Sequence, residues 1–130
     1  MRKFYLIAVL FFLFFSTGIS QALHFCEGVT EKGQPVNSSS TFKIDKKGGY
    51  FYFLVQLPYR IQCTSAKFKI YRVGPSGNLT FDTSISTDTE KDWTWFWKQV
   101  TFYKPGNFEV EVVDCNGNSI VSGRVTIEYR

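Results

Sequence analysis

The stretch Lys104-Pro-Gly-Asn-Phe-Glu-Val-Glu-Val-Val-Asp-Cys-Asn-Gly-Asn118 decides how the rest of the chain is read. Phe108, Val110 and Val112 alternate with Glu109 and Glu111, a period of two that sets apolar residues on one face of a strand and carboxylates on the other. Pro105-Gly106 opens that strand and Asp114 to Asn118 closes it, Asn-Gly being the strongest short signal for a hairpin. Val125, Ile127 and Tyr129 supply the returning strand.

Working upstream, the same grammar recurs. Short apolar runs rich in aromatic and β-branched residues are separated by Gly, Pro, Asn, Asp and Ser clusters, and no amphipathic helix intervenes. The predicted strands are Thr41 to Ile44, Tyr50 to Leu57, Ala66 to Val73, Leu79 to Ile85, Trp93 to Tyr103, then the closing pair. Phe51, Phe53, Val55 and Leu57 fall on one face and form the surest core wall. Phe68 and Ile70 point inward with Lys67, Lys69 and Tyr71 outward; Leu79, Phe81, Thr83 and Ile85 alternate in the fourth strand. Lys32 to Ser40 reads as a polar loop. This is an all-β sandwich of about seven antiparallel strands.

Residues 1–22 have another character. Arg2 and Lys3 precede an unbroken apolar run from Leu6 to Phe15, and Ser20-Gln21-Ala22 offers a small-x-small cleavage site. The reading is a cleaved signal helix, too short to span a bilayer, and Phe25 before Cys26 argues against a lipid anchor, so no membrane anchor is expected after cleavage. The remaining 23–130 suffices for one domain. Of the 15 basic residues, Arg2 and Lys3 leave with the signal, so thirteen face 11 acidic ones and no basic stripe remains. Nucleic acid is therefore not an expected partner.

Phe-Tyr-Lys-Pro-Gly-Asn-Phe-Glu-Val-Glu-Val-Val-Asp-Cys-Asn-Gly-Asn, followed by Val125-Thr126-Ile127, resembles the closing hairpin of immunoglobulin-like domains of the polycystic-kidney-disease (PKD) repeat type, over about the last thirty residues. Small exported bacterial proteins of unknown role also look like this. The resemblance implies a Greek-key sandwich in an extracellular binding or adhesion setting, and no catalytic residue. It also implies that the second-to-third, fourth-to-fifth and sixth-to-seventh connections share one pole. Cys26, Cys63 and Cys115 would then gather there. Export implies an oxidising compartment and one disulfide. Cys63–Cys115 is preferred because termini fray, with pairs through Cys26 left open. A zinc site with His24 lacks the short Cys-x-x-Cys spacing, so no metal or other cofactor is expected.

Trp93, Trp95 and Trp97, two residues apart, belong near the same pole with Tyr59 and Arg60. A regular strand puts all three outside with Gln99, Thr101 and Tyr103, and turns Lys98 toward the core. A bulge near Lys98-Gln99 would carry them inside. Ring size argues for burial, since each ring removes about 150–250 Å² from water. The alternative is an exposed platform with Asp92, Asn116 and Arg60 at its margin. Asn37 and Asn78 open glycosylation sequons that matter only in a eukaryote.

Catalysis finds little support. The single histidine, His24, sits beside the expected cleavage point, and Glu109 and Glu111 lie on an outer face rather than across a cleft. The sequence points to a non-enzymatic binding module, recognising protein through the shared pole or, alternatively, glycan through Trp93, Trp95 and Trp97.

Overall fold

A computed structural model describes residues 20–130. The signal segment expected over residues 1–22 lies almost wholly outside them. Nine strands form: β1 Ala22–Val29, β2 Pro35–Ser38, β3 Thr41–Ile44, β4 Gly49–Gln56, β5 Ser65–Val73, β6 Leu79–Asp88, β7 Trp95–Phe102, β8 Gly106–Val113 and β9 Ser119–Tyr129. They build a four-stranded sheet, β2-β1-β4-β7, stacked on a five-stranded one, β3-β9-β8-β5-β6. All pairs are antiparallel except β3 with β9, where Thr41 to Ile44 run alongside Thr126 to Tyr129.

The alternating residues of the sequence make the core. Phe51, Phe53, Val55 and Leu57 face Phe68, Ile70, Phe108, Val110, Val112, Val125 and Ile127 across the two layers, all buried. Phe25 of β1 joins them edge-on to Phe51 and Phe53, and Phe102 stacks on Phe51. Burying a ring of this size contributes on the order of 2–3 kcal/mol.

Three hairpins share one turn chemistry. In residues 30–34, 74–78 and 114–118 the fourth residue is a glycine in the left-handed region, and its N–H donates to the carbonyl of the first. At the last of these Asp114 also accepts, through Oδ1, the N–H groups of Asn116 and Asn118, both at 2.9 Å.

Three expectations need correction. The segment read as a polar loop contains β2, and with β1 it adds a hairpin, so nine strands replace seven. The fourth predicted strand carries a bulge: Ile70 pairs with Thr83 but Tyr71 with Phe81, so Asp82 is the extra residue. The pleat inverts there, and Phe81 packs outside, edge-on to Tyr71. Finally, Cys26 pairs with Tyr52 in mid-sheet and not at the pole. Its thiol is buried and free.

Cys63 and Cys115 are joined, with Cα atoms 5.8 Å apart. A closed loop with a sequence separation of 52 is worth about 4 kcal/mol in the chain-entropy view.

Candidate functional site

The connection from β6 to β7 is laced to the connection from β4 to β5. The N–H groups of Leu57, Ile61 and Gln62 donate to the carbonyls of Thr94, Trp93 and Lys91, and the N–H of Thr89 donates to Thr64. Thr89, the one buried polar residue among those described, gives its hydroxyl to the carbonyl of Cys63 at 2.6 Å. The disulfide and these bonds fix residues 89–94 as a rigid lip.

From that lip β7 runs regularly along β4, Trp95 opposite Gln56 through Phe102 opposite Gly49, with no bulge. Phe96, Val100 and Phe102 therefore enter the core while Trp95 and Trp97 stand on the outer face, so the unbulged reading holds. Lys98 points inward opposite Phe53, half-buried at the edge of the sheet, where its stem covers apolar surface and its ammonium reaches water. Trp93 lies just before the strand.

The three indoles meet different fates. Trp97 is 47% exposed and Trp93 38%. Trp95 is half-buried because Gly33 lies on it: a Cβ at Gly33 would stand only 2.4 to 2.7 Å from Cδ2, Cε2 and Cγ of the ring. The carbonyl of Gly33 also accepts from Gln56 Nε2 at 2.9 Å, and Gln56 Oε1 lies 3.0 Å from His24 Nε2. Strand β1 runs from Ala22 beside Gln56 to Cys26 beside Tyr52, away from this end, so the β1–β2 hairpin must fold back across the outer face to bring Gly33 home. Beneath it Leu54 and Cys26, both outside the main core, are sealed from solvent. Burial pushes the Cys26 thiol pKa up, against the lowering effect of the Val36 and Gly28 backbone.

A groove of about 470 Å³ opens beside the lip, lined by Asp88, Asp92, Trp93, Thr94, Trp95, Phe96 and Trp97. Alternate residues of a strand face opposite ways, so a cavity touching six in succession lies along the strand's edge. Among the described residues that edge is free, because β7 ends one sheet and β6, which supplies Asp88, ends the other. The lining holds two carboxylates and no cation, and among the described residues neither carboxylate has an ion-pair partner.

Of the residues singled out in the sequence, Trp93, Trp95, Trp97 and Asp92 come together here. Tyr59 and Arg60 sit exposed on the neighbouring connection and Asn116 in the β8–β9 turn, and none of the three lines the groove. Asp88 was missed, although its place at the end of a polar strand leading to the tryptophans was a signal. Tyr50 and Tyr52 were missed too; simple alternation with Phe51 and Phe53 puts them outside, where Tyr52 meets Trp97 edge-on at 5.4 Å.

An immunoglobulin-like protein from Pseudomonas aeruginosa has a solved structure that matches with a TM-score of 0.52 at 10% identity, over 86% of this chain and 99% of that one. The fold is immunoglobulin-like. A superoxide reductase (neelaredoxin) from Ignicoccus hospitalis is also similar in shape, with a TM-score of 0.45 at 10% identity over 86% of this chain and 81% of that one. No protein-family model matches the chain, and no curated protein does. The Cys63–Cys115 bridge is consistent with an extracellular or periplasmic protein.

Proposed function

We propose that this chain is an exported, non-catalytic immunoglobulin-like module that recognises protein through the groove between the free edges of β6 and β7. The observation that carries the reading is the gathering of Trp93, Trp95 and Trp97 with Asp88 and Asp92 around one 470 Å³ cavity at the pole braced by the disulfide. Tryptophan anchors in a preformed pocket are the side chains that dominate protein interfaces, and a braced lip limits the ordering cost of binding.

The glycan reading asks for something else. A sugar strip over Trp93, Trp95 and Trp97 needs open rings lying in a common plane, whereas Gly33 lies on the Trp95 ring and Trp97 stands at 74° to its neighbour Tyr52. Perpendicular rings interlock with side chains better than they stack under a pyranose face.

Peptide-display selection and a glycan array, each run with the wild-type chain and with a Trp93→Ala/Trp97→Ala variant of unchanged Tm, test the proposal. Selected peptides whose binding disappears in the variant support it. Glycan binding lost in the variant, with no peptide selected, replaces it by the carbohydrate reading.

A further inference from the structure

Resting on the groove as a protein-binding site, we infer that its occupant is a second copy of this chain, which inserts its β3–β4 turn so that copies join head to tail. The two poles are chemically complementary. At the groove the end of β6 and the lip carry Asp88, Glu90 and Asp92 against Lys91, with Arg60 exposed on the connection laced to the lip, so acids outnumber cations there and the indoles lie between. The opposite pole holds the turn of residues 45–48, closed by the Gly48 N–H donating to Asp45 at 2.8 Å. Its acid is already neutralised, since Asp45 Oδ1 lies 3.2 Å from Arg130 Nε. Lys46 and Lys47 are exposed at its tip, and Lys104 is exposed on the β7–β8 connection nearby.

The turn is also a defined shape rather than a loose loop. The Tyr103 ring lies against Gly48, where an added Cβ would meet Cδ1 at 2.8 Å, and the Tyr129 hydroxyl donates to the Tyr103 carbonyl at 3.0 Å. A narrow knob with two ammonium groups thus faces away from a cavity lined by two carboxylates without an ion-pair partner among the described residues and by three tryptophans, of which Trp93 and Trp97 are the more exposed. Tryptophan is the best side-chain partner for a desolvated ammonium.

Geometry excludes an intramolecular closure. Gly49 pairs with Phe102 and Gln56 with Trp95, so turn and groove sit at opposite ends of the same strands, about 23 Å apart at 3.3 Å per residue. The contact is heterologous, a turn of one copy in the groove of the next, so a joined pair still has one free groove at one end and one free turn at the other. Such contacts propagate as open chains or close into rings.

Sedimentation velocity on the purified chain, over a range of concentrations and from about 50 mM to about 500 mM NaCl, gives the first readout. Association that grows with concentration and is dispersed by salt is expected, because exposed charges are screened beyond a Debye length. Two variants give the second: Lys46→Glu/Lys47→Glu, which spoils the turn, and Asp88→Asn/Asp92→Asn, which spoils the groove. Each alone is expected to associate roughly tenfold or more weakly than wild type, with Tm unchanged. Mixed in equal amounts they should form a dimer and stop there, because the intact groove of one takes the intact turn of the other.

A wild-type chain that stays monomeric at low salt overturns the inference, as does a turn variant that associates like wild type. In either case peptides selected through Trp93 and Trp97 would leave the groove's role standing. Loss of both would remove the two together.

Discussion

At the scale of single residues, Gly33 is the position where sequence, packing and site meet. Its φ of +78° is one that residues with a Cβ rarely adopt, and the space a Cβ would need is filled by the Trp95 indole. Gly33→Ala is therefore expected to destabilise the chain by about 1–3 kcal/mol, from overpacking and backbone strain together, and to raise the exposure of Trp95. Urea titration followed by acrylamide quenching of tryptophan fluorescence checks both parts; an unchanged midpoint would mean that the hairpin does not press on the ring. Cys26 makes a second residue-level prediction. Burial raises its thiol pKa above the ordinary 9.0, so the folded chain holds this proton longer than the unfolded one. The resulting stabilisation is fully present below about pH 9 and is lost as pH climbs through the folded value. Comparing unfolding free energies of wild type and Cys26→Ala from pH 7 to about 10.5 should show the wild type losing stability more steeply at the alkaline end. Below that, the thiol should react with an alkylating reagent only on unfolding.

At the scale of elements, legibility tracked how much each segment's pattern owes to the core alone. The β8 strand and its turn were readable because Phe108, Val110 and Val112 alternate against the core and Asp114 to Asn118 form their own turn, whereas the bulge that leaves Ile120 extra between Val113 opposite Ser119 and Val112 opposite Val121 was not. Strand β2 was not readable: Pro-Val-Asn-Ser has no apolar period, and it is held by register to β1 rather than by burial. The hairpin nevertheless had a mark, Gly33 standing at the same offset in its turn as Gly77 and Gly117 in theirs. The inversion within β6 could not be foreseen, since Leu79, Phe81, Thr83 and Ile85 keep strict alternation while Asp82 bulges against Ile70 and Tyr71. For β7 ring size misled: the apolar area of Trp95 is covered, but by a hairpin on the outside instead of by the core. Lys98 explains how a strand so aromatic can stand at an edge, because an inward charge there discourages pairing with another sheet. Lys98→Leu is expected to gain about 1 kcal/mol of stability and to cause salt-insensitive aggregation, read by urea midpoint and light scattering. The covalent tie is the last device at this scale. Cys63→Ala/Cys115→Ala should cost about 4 kcal/mol by the loop-entropy estimate and should loosen the lip that Thr89 bonds to Cys63.

At the scale of the whole molecule, the question is whether the seven strands legible in the sequence would suffice. The region from Thr41 to Arg130 contains both layers of that minimal sandwich, the disulfide and every residue lining the groove. What it lacks is the first hairpin, and the hairpin works on both sides of the four-stranded sheet. Inward, it supplies Phe25, which packs on Phe51 and Phe53, with Leu23 beside it. Outward, it seals Leu54 and covers Trp95. Removing a core phenylalanine side chain alone typically costs about 3–5 kcal/mol, and uncovering a leucine and an indole adds a comparable sum, against a total stability for small domains of about 5–15 kcal/mol. A chain starting at Thr41 is therefore expected to lose cooperative unfolding while keeping much of its strand content. Near-UV circular dichroism and the steepness of the urea transition report this directly. A sharp transition with native near-UV signal would show that β1 and β2 are an appendage; a broad one would show that the hairpin completes the core and, by holding Trp95 from outside, also shapes the wall of the groove.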